Sequence, residues 1–346
     1  MGQQMMVADL VSDAKIELET IPVPELNDDE VLVSVHTCGI CGSDMHAYHG
    51  KHPYVAFPII MGHEFSGIVV ATGSQKYDNL KEQRIVVEPS IVCGDCYNCR
   101  HGRYNICQRL AVLGCQTSGA FAEYIKVPGT QVIVLPDSVS FAEAAMVEPL
   151  AVGVHAARRA RLQSGDRVVV LGAGTIGLLT AASAAQLGAE VLIVDMFPAK
   201  LEVAKKLKIQ HTINLAEQDL AATVTEVFGD EGPDVWFECV GIEKTIHGAI
   251  TLARNGTKII VVGVFGQTIQ VDMGLVQTKE LELLGSLMYT RGDFDTALDF
   301  IRTKNIDVSK LISAVYPVSK LSEAFKAIEA NRGTSLKTLI TVKGGF

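Results

Sequence analysis

RVVVLGAGTIGLLTAASAAQLGAEVLIVD (167–195) decides how the rest of the chain is read. From Val168 to Ala189 it carries no charge over 22 residues, close to the length that spans a bilayer. Gly172, Gly174, Gly177 and Gly188 nevertheless divide it into an apolar block, a glycine turn and an alanine-rich block. Strand, turn and buried helix account for that pattern better than a membrane span. The turn itself, Gly172-Ala173-Gly174-Thr175-Ile176-Gly177, is GxGxxG, and Asp195 ends the next apolar run 18 residues after the third glycine. A strand before, a helix after and an acidic residue at that distance are the context in which the motif binds a dinucleotide. The glycines let the backbone approach a pyrophosphate, whose charge meets the free N–H groups of the helix. A carboxylate at Asp195 accepts hydrogen bonds from ribose hydroxyls and repels a 2′-phosphate, which predicts NAD over NADP; Lys200 is the nearest cation after it. The competing reading is a glycine turn that packs helix on strand and holds no ligand.

The same regime extends on both sides. RVVVLG (167–172), EVLIVD (190–195), HTINL (211–215), DVWFEC (234–239), TKIIVVG (257–263) and LELLGSL (281–287) read as six strands. Helical patterns separate the first five, so parallel βαβ units in a doubly wound sheet are expected. Residues 30–135 read differently, as short β-branched runs broken by Gly, Pro, Asn and Asp. After Tyr289 come two helical patterns and a last strand, SLKTLITV, too little to fold alone and expected to return to the first domain. The fold class is therefore α/β: a β-rich domain from 1–150 and 289–346 and a nucleotide-binding domain from 151–288.

At 346 residues two domains are the natural expectation. A net charge of −9 argues against a nucleic-acid or anionic-membrane surface. MGQQMMVADL lacks the basic start and apolar core of a leader, so the reading is cytoplasmic. Eight cysteines in such a chain point to metal rather than disulfides.

Cys93, Cys96, Cys99 and Cys107 give C-x2-C-x2-C-x7-C, enough thiolates to close a tetrahedron around zinc with no open position. An iron–sulfur cluster or four free thiols are the rival readings. A second site is suggested by CGICGSDMHAYH (38–49), where Cys38 or Cys41 can meet His63 and Glu64 of GHEFSG or Glu148 and His155 of VEPLAVGVH. One thiolate, one imidazole and one carboxylate around zinc make a neutral, open site.

GICGSDMH, GHEFSG, the four-cysteine loop, VEPLAVGVHA, GAGTIG and the terminal half-domain, in that order, make the chain resemble a zinc-dependent medium-chain dehydrogenase of the sorbitol (polyol) dehydrogenase branch. The resemblance implies a GroES-like catalytic domain beside a Rossmann domain. It implies two zinc ions per subunit, one structural and one catalytic, with Cys41 and His63 as catalytic ligands. Glu64 and Glu148 both lie at that metal in the family, and either can coordinate it. Asp44 resembles the residue that orients the ligating imidazole. Ser43 and His46 match the relay that carries the alcohol proton to solvent, and Val262, Gly263 and Val264 match the nicotinamide contacts.

The reaction implied is hydride transfer between a secondary alcohol (polyol, sugar alcohol, inositol or small diol) and NAD. Ala47 and Met288-Tyr289 stand where sorbitol dehydrogenases carry a tyrosine and an Arg-Tyr pair, so Tyr289 alone remains of the hydroxyl-holding set and sorbitol itself is disfavoured. A threonine-type amino-alcohol dehydrogenase and a non-catalytic nucleotide sensor are the alternatives. Family members are dimers or tetramers, which implies a homo-oligomer, with LELLGSL as a candidate interface strand. Cys115 and Cys239 read as buried small apolar residues, Cys38 as an ordinary strand-end residue, and His155 as packed or interhelical rather than a ligand.

Overall fold

The computed structural model describes residues 3–346, and they form two compact units, Met1–Glu148 with Ile312–Phe346 and Pro149–Leu311. Met1 and Gly2, the start of the stretch read as lacking a leader, lie outside the described residues.

In the second unit all six expected strands form one parallel sheet. Their order is His211–Asn214, Glu190–Asp195, Arg167–Leu171, Val235–Glu238, Lys258–Val261 and Glu282–Gly285. The chain starts in the middle, walks to one edge and then returns to build the other. That reversal opens a crevice beyond the carboxyl ends of Arg167–Leu171 and Val235–Glu238, where such sheets bind ligands. The strands are continuous apolar runs because helices cover both faces; Val168, Val169 and Val170 are fully buried. Glu282–Gly285, within LELLGSL, is an edge strand.

The second unit runs on to Leu311, past the return expected at residue 289. The cause is Asp293, fully buried at the start of helix Arg291–Arg302. Its carboxylate meets His155 Nδ1 and the Arg158 guanidinium, each at 2.9 Å, and so ties that helix to helix Val147–Ala160. His155 is thus interhelical. Residues 289–311 stay with the nucleotide-binding unit, and the chain crosses back only at Ile312.

The first unit is built on a seven-stranded sheet running Val132–Val134, Arg84–Val87, Glu64–Thr72, Glu30–Ile40, Lys337–Thr341 and Ile312–Pro317, with Tyr124–Pro128 also paired to Glu30–Ile40. Register places its functional residues. Antiparallel pairing sets Gly39 opposite Glu64 and Thr338 opposite Ile40. Cys41, just past the end of one strand, therefore lies beside His63 and Glu64 at the start of the next and beside Lys337 at the start of the last. Among the described residues no helix is long and apolar enough to cross a membrane.

Candidate active site and metal centres

Where those three strand ends converge, one donor atom each of Cys41, His63 and Glu64 lies within 4.8 Å of the others. His63 and Glu64 are buried, while Cys41 is partly exposed, leaving the group open on the thiol side. Thiolate, imidazole and carboxylate are donors that suit zinc, so the residues present fit the ion. Cys41 caps helix Gly42–Tyr48, and its backbone N–H donates to Asp44 Oδ2 at 2.8 Å. Asp44 Oδ1 lies 3.7 Å from His63 Nδ1, an ion-pair approach rather than a hydrogen bond, and that ring nitrogen has no hydrogen-bond partner. Burial pushes the Asp44 carboxyl up, with His63 as the main opposing charge. Burial works to lower His63, but Asp44, with the Cys115 and Cys41 thiols, raises it well above the ordinary value.

Glu64 is not free. Lys337 Nζ donates to both of its oxygens, at 2.6 and 2.5 Å, and to the Ile40 carbonyl at 3.0 Å. All three ammonium protons are used, and both side chains are buried. Burial opposes the charge on Lys337, yet Glu64, Cys41 and Glu148 raise its pKa overall. Glu148 is buried in the first turn of helix Val147–Ala160 and stands outside the three-residue group. Ser43 and His46, three apart on one short helix, share a face that reaches solvent.

Sequence reasoning missed Lys337 and the position of Cys115, which lies against His63 because loop 112–121 wraps over Met61 and Gly62. Cys38 is buried, outside the metal-competent group, and burial pushes its thiol up. Tyr289, expected in the substrate pocket, is buried, with its ring centre 5.5 Å from that of Phe294.

The second donor set is the quartet Cys93, Cys96, Cys99 and Cys107, all four sulfurs within 4.8 Å of one another. Sulfur–sulfur distances of 3.9, 3.9 and 3.4 Å match the edge of about 3.8 Å expected for a tetrahedron of zinc–sulfur bonds. A single ion fits that spacing better than a multi-iron cluster. Backbone N–H groups of Gln108 and Cys99 lower Cys96 to about 6, whereas burial lifts Cys99 to about 12.

In the other unit, Gly174 caps helix Thr175–Gln186 and leaves its first N–H groups facing the crevice. A Cβ on Gly177 would sit 1.8 Å from the Gly172 carbonyl, so the helix can start this close to the turn only with glycine there. Asp195 Oδ2 accepts from Ala173 N–H at 2.7 Å, and Oδ1 accepts from Met196 and Phe197 N–H. The acidic residue thereby locks the glycine turn to the second strand. Lys200 Nζ lies over the Phe197 ring, 5.0 Å from its centre. Val262 and Gly263 follow strand Lys258–Val261, and Val264 beyond them is 78% exposed.

Residues 27–137 match the alcohol dehydrogenase GroES-like domain and residues 175–303 match the zinc-binding dehydrogenase domain. Sorbitol dehydrogenase of Bacillus subtilis is 35% identical over 344 residues, covering 98% of this chain and 97% of that protein. The chain belongs to the zinc-binding dehydrogenase family. This dehydrogenase is also similar to 2-dehydro-3-deoxy-L-galactonate 5-dehydrogenase of Pseudoalteromonas atlantica, 37% identical over 87% of this chain and 89% of that one. Two solved structures share its fold. A dehydrogenase from Escherichia coli CFT073 complexed with NADH superposes with a TM-score of 0.92, at 27% identity over 99% of this chain and 100% of that one. A zinc-binding dehydrogenase from Sinorhizobium meliloti 1021 bound to NADP gives 0.90, at 30% identity over 98% and 100%.

Proposed function

We propose that this zinc-binding dehydrogenase oxidises a secondary alcohol of a polyhydroxylated substrate (a polyol, sugar alcohol, inositol or small diol) with NAD. The observation that carries the reading is the pairing of an open Cys41–His63–carboxylate group with a GxGxxG turn locked to Asp195. Cys41 and His63, with Glu64 or Glu148, would hold one zinc, and the quartet Cys93, Cys96, Cys99 and Cys107 would hold a second. When bound, the first ion supplies the Lewis acidity that makes an alcohol acidic near neutral pH, and the nicotinamide supplies the hydride acceptor.

The chain's own residues do the rest. Ser43 receives the alcohol proton and His46, at the exposed end of the same helix, releases it; imidazole suits a relay near neutral pH. Asp44 keeps the His63 ring oriented. Lys337 offsets the Glu64 charge, so the buried carboxylates do not repel one another unopposed. Gly172, Gly174, Ile176 and Gly177 receive the pyrophosphate, Asp195 the adenosine ribose, and Val262, Gly263 and Val264 the nicotinamide. The charge of Asp195 favours NAD, because a 2′-phosphate there meets a carboxylate.

The relatives named for sorbitol and for a galactonate derivative support a substrate with several hydroxyls. Ala47, buried where sorbitol dehydrogenases carry a tyrosine, argues against sorbitol itself. Eight unpaired thiols agree with a reducing, cytoplasmic setting, and the family's habit supports a dimer or tetramer.

The test is a panel of polyols, inositols, sugar acids, small diols and threonine with NAD+, followed by NADH absorbance at full zinc loading. Turnover of a polyhydroxylated secondary alcohol is expected. Threonine as the best substrate, or NADH binding with no alcohol oxidised, overturns the reading.

A further inference from the structure

Glu238 ends the central strand Val235–Glu238 and is fully buried. Its register neighbours are Leu171, whose chain continues into Gly172, and Val261, whose chain continues into Val262. It therefore stands between the segment assigned above to the pyrophosphate and the one assigned to the nicotinamide. Its Oε1 accepts from the N–H groups of Val240 and Gly241, at 2.9 and 2.8 Å, and from the Thr245 hydroxyl at 2.7 Å. Its backbone carbonyl accepts from both Val262 and Gly263 N–H at 2.9 Å. Oε2 is buried without a partner.

Three donors converge on one oxygen at the start of helix Glu243–Leu252, where the helix field favours negative charge. Ile242, at the N-cap of that helix, has no side-chain oxygen to offer, and Glu238 instead reaches the Thr245 hydroxyl in its first turn. The carboxylate draws turn 239–241 against segment 262–264 with almost no clearance. A Cβ on Gly241 would sit 2.4 Å from the Val264 carbonyl. One on Gly263 would sit 2.4 Å from Gly241 N and 2.7 Å from Glu238 Oε2. The glycine turn at 172–174 also packs against Val240 but has a tie of its own, through Asp195, whereas segment 262–264 rests on the Glu238 backbone carbonyl and the turn its carboxylate holds.

We propose that Glu238 is a positioning residue that sets the place of the Val262–Gly263–Val264 main chain and thereby the affinity for the nicotinamide half of the cofactor. The inference rests on the assignment of the nicotinamide to that segment. It separates two roles that a merely structural carboxylate would merge, because ADP-ribose shares the adenosine and pyrophosphate of NADH but lacks the nicotinamide.

The experiment measures dissociation constants of NADH and ADP-ribose for the zinc-loaded wild type, Glu238→Gln and Thr245→Val. In Glu238→Gln the NADH constant should rise about tenfold, the scale of one charge-assisted hydrogen bond, while that of ADP-ribose stays within about twofold. Thr245→Val removes a single donor and should show the same selectivity at about threefold, which keeps the inference testable if Glu238→Gln does not fold. Equal weakening of both ligands, or no change in either, overturns the positioning role. A wild type that binds NADH no better than ADP-ribose overturns the nicotinamide assignment instead, and the inference with it.

Discussion

Replacing Lys337 by methionine leaves the Glu64 carboxylate buried without its counter-charge. The lost ammonium bonds both Glu64 oxygens and the Ile40 carbonyl, and the two side chains are only 4% and 1% exposed. Removing one partner of so buried a pair costs about 3–5 kcal/mol, because the remaining charge stays out of water. A cation held at Cys41 and His63 partly replaces the ammonium, so the loss should be largest in chelator-treated protein and smaller with zinc bound. Urea unfolding followed by far-UV circular dichroism reads both units together, and a transition it shows without Trp236 belongs to the first unit. The single tryptophan, Trp236, is buried in the other unit, and its fluorescence serves as an internal control that the substitution should leave in place. Lys337→Met combined with Glu64→Leu removes the whole pair and should recover most of the loss, since swapping an entire buried pair for apolar groups is near neutral. The reasoning fails if metal-free Lys337→Met lies within about 1 kcal/mol of wild type, or if the double variant is no better than the single.

Three further outcomes follow from the sites. Cys41→Ser and Cys99→Ser should each bind one fewer zinc per chain by metal analysis; the first keeps its fold and loses turnover, while the second unfolds more readily. Asp195→Asn removes the charge that repels a 2′-phosphate, so the ratio of kcat/KM for NADP over NAD should rise about tenfold; an unchanged ratio removes Asp195 from cofactor choice. Burial pushes the Asp293 carboxyl up, but hydrogen bonds from His155 and Thr290 more than offset it and hold the group below its ordinary value. Its stabilisation is then present above the ordinary carboxyl range and lost as pH falls through the lower folded value. Asp293→Asn should cost about 2 kcal/mol at pH 7 and converge with wild type in strong acid, read by Trp236 fluorescence.

The glycine turn, Asp195 and the cysteine quartet were legible because each is a short-range pattern whose chemistry depends on spacing alone. The alternation of strand and helix over 167–287 was legible for the same reason, and the observed strand order completes it. Lys337 was not, since its partner lies 273 residues away and is chosen by sheet register. The one available signal was a lone charge inside the apolar strand SLKTLITV. Glu238 looks like any residue at a strand end until the turns around it are seen. The boundary at Leu311 likewise depends on Asp293 finding His155 across two helices.

The lysine at the Cys41–His63–Glu64 group lies 273 residues beyond Glu64 in the sequence. Synthesis proceeds from the N-terminus, so Cys41, His63 and Glu64 leave the ribosome early and wait while the whole nucleotide-binding unit is made. Only when strand Lys337–Thr341 docks beside Glu30–Ile40 does Glu64 gain its counter-charge. The charge balance of the Cys41–His63–Glu64 group thereby depends on a strand made long after those three residues. A chain broken off short of residue 337 would carry Cys41, His63 and Glu64 and still leave the Glu64 carboxylate without its counter-charge.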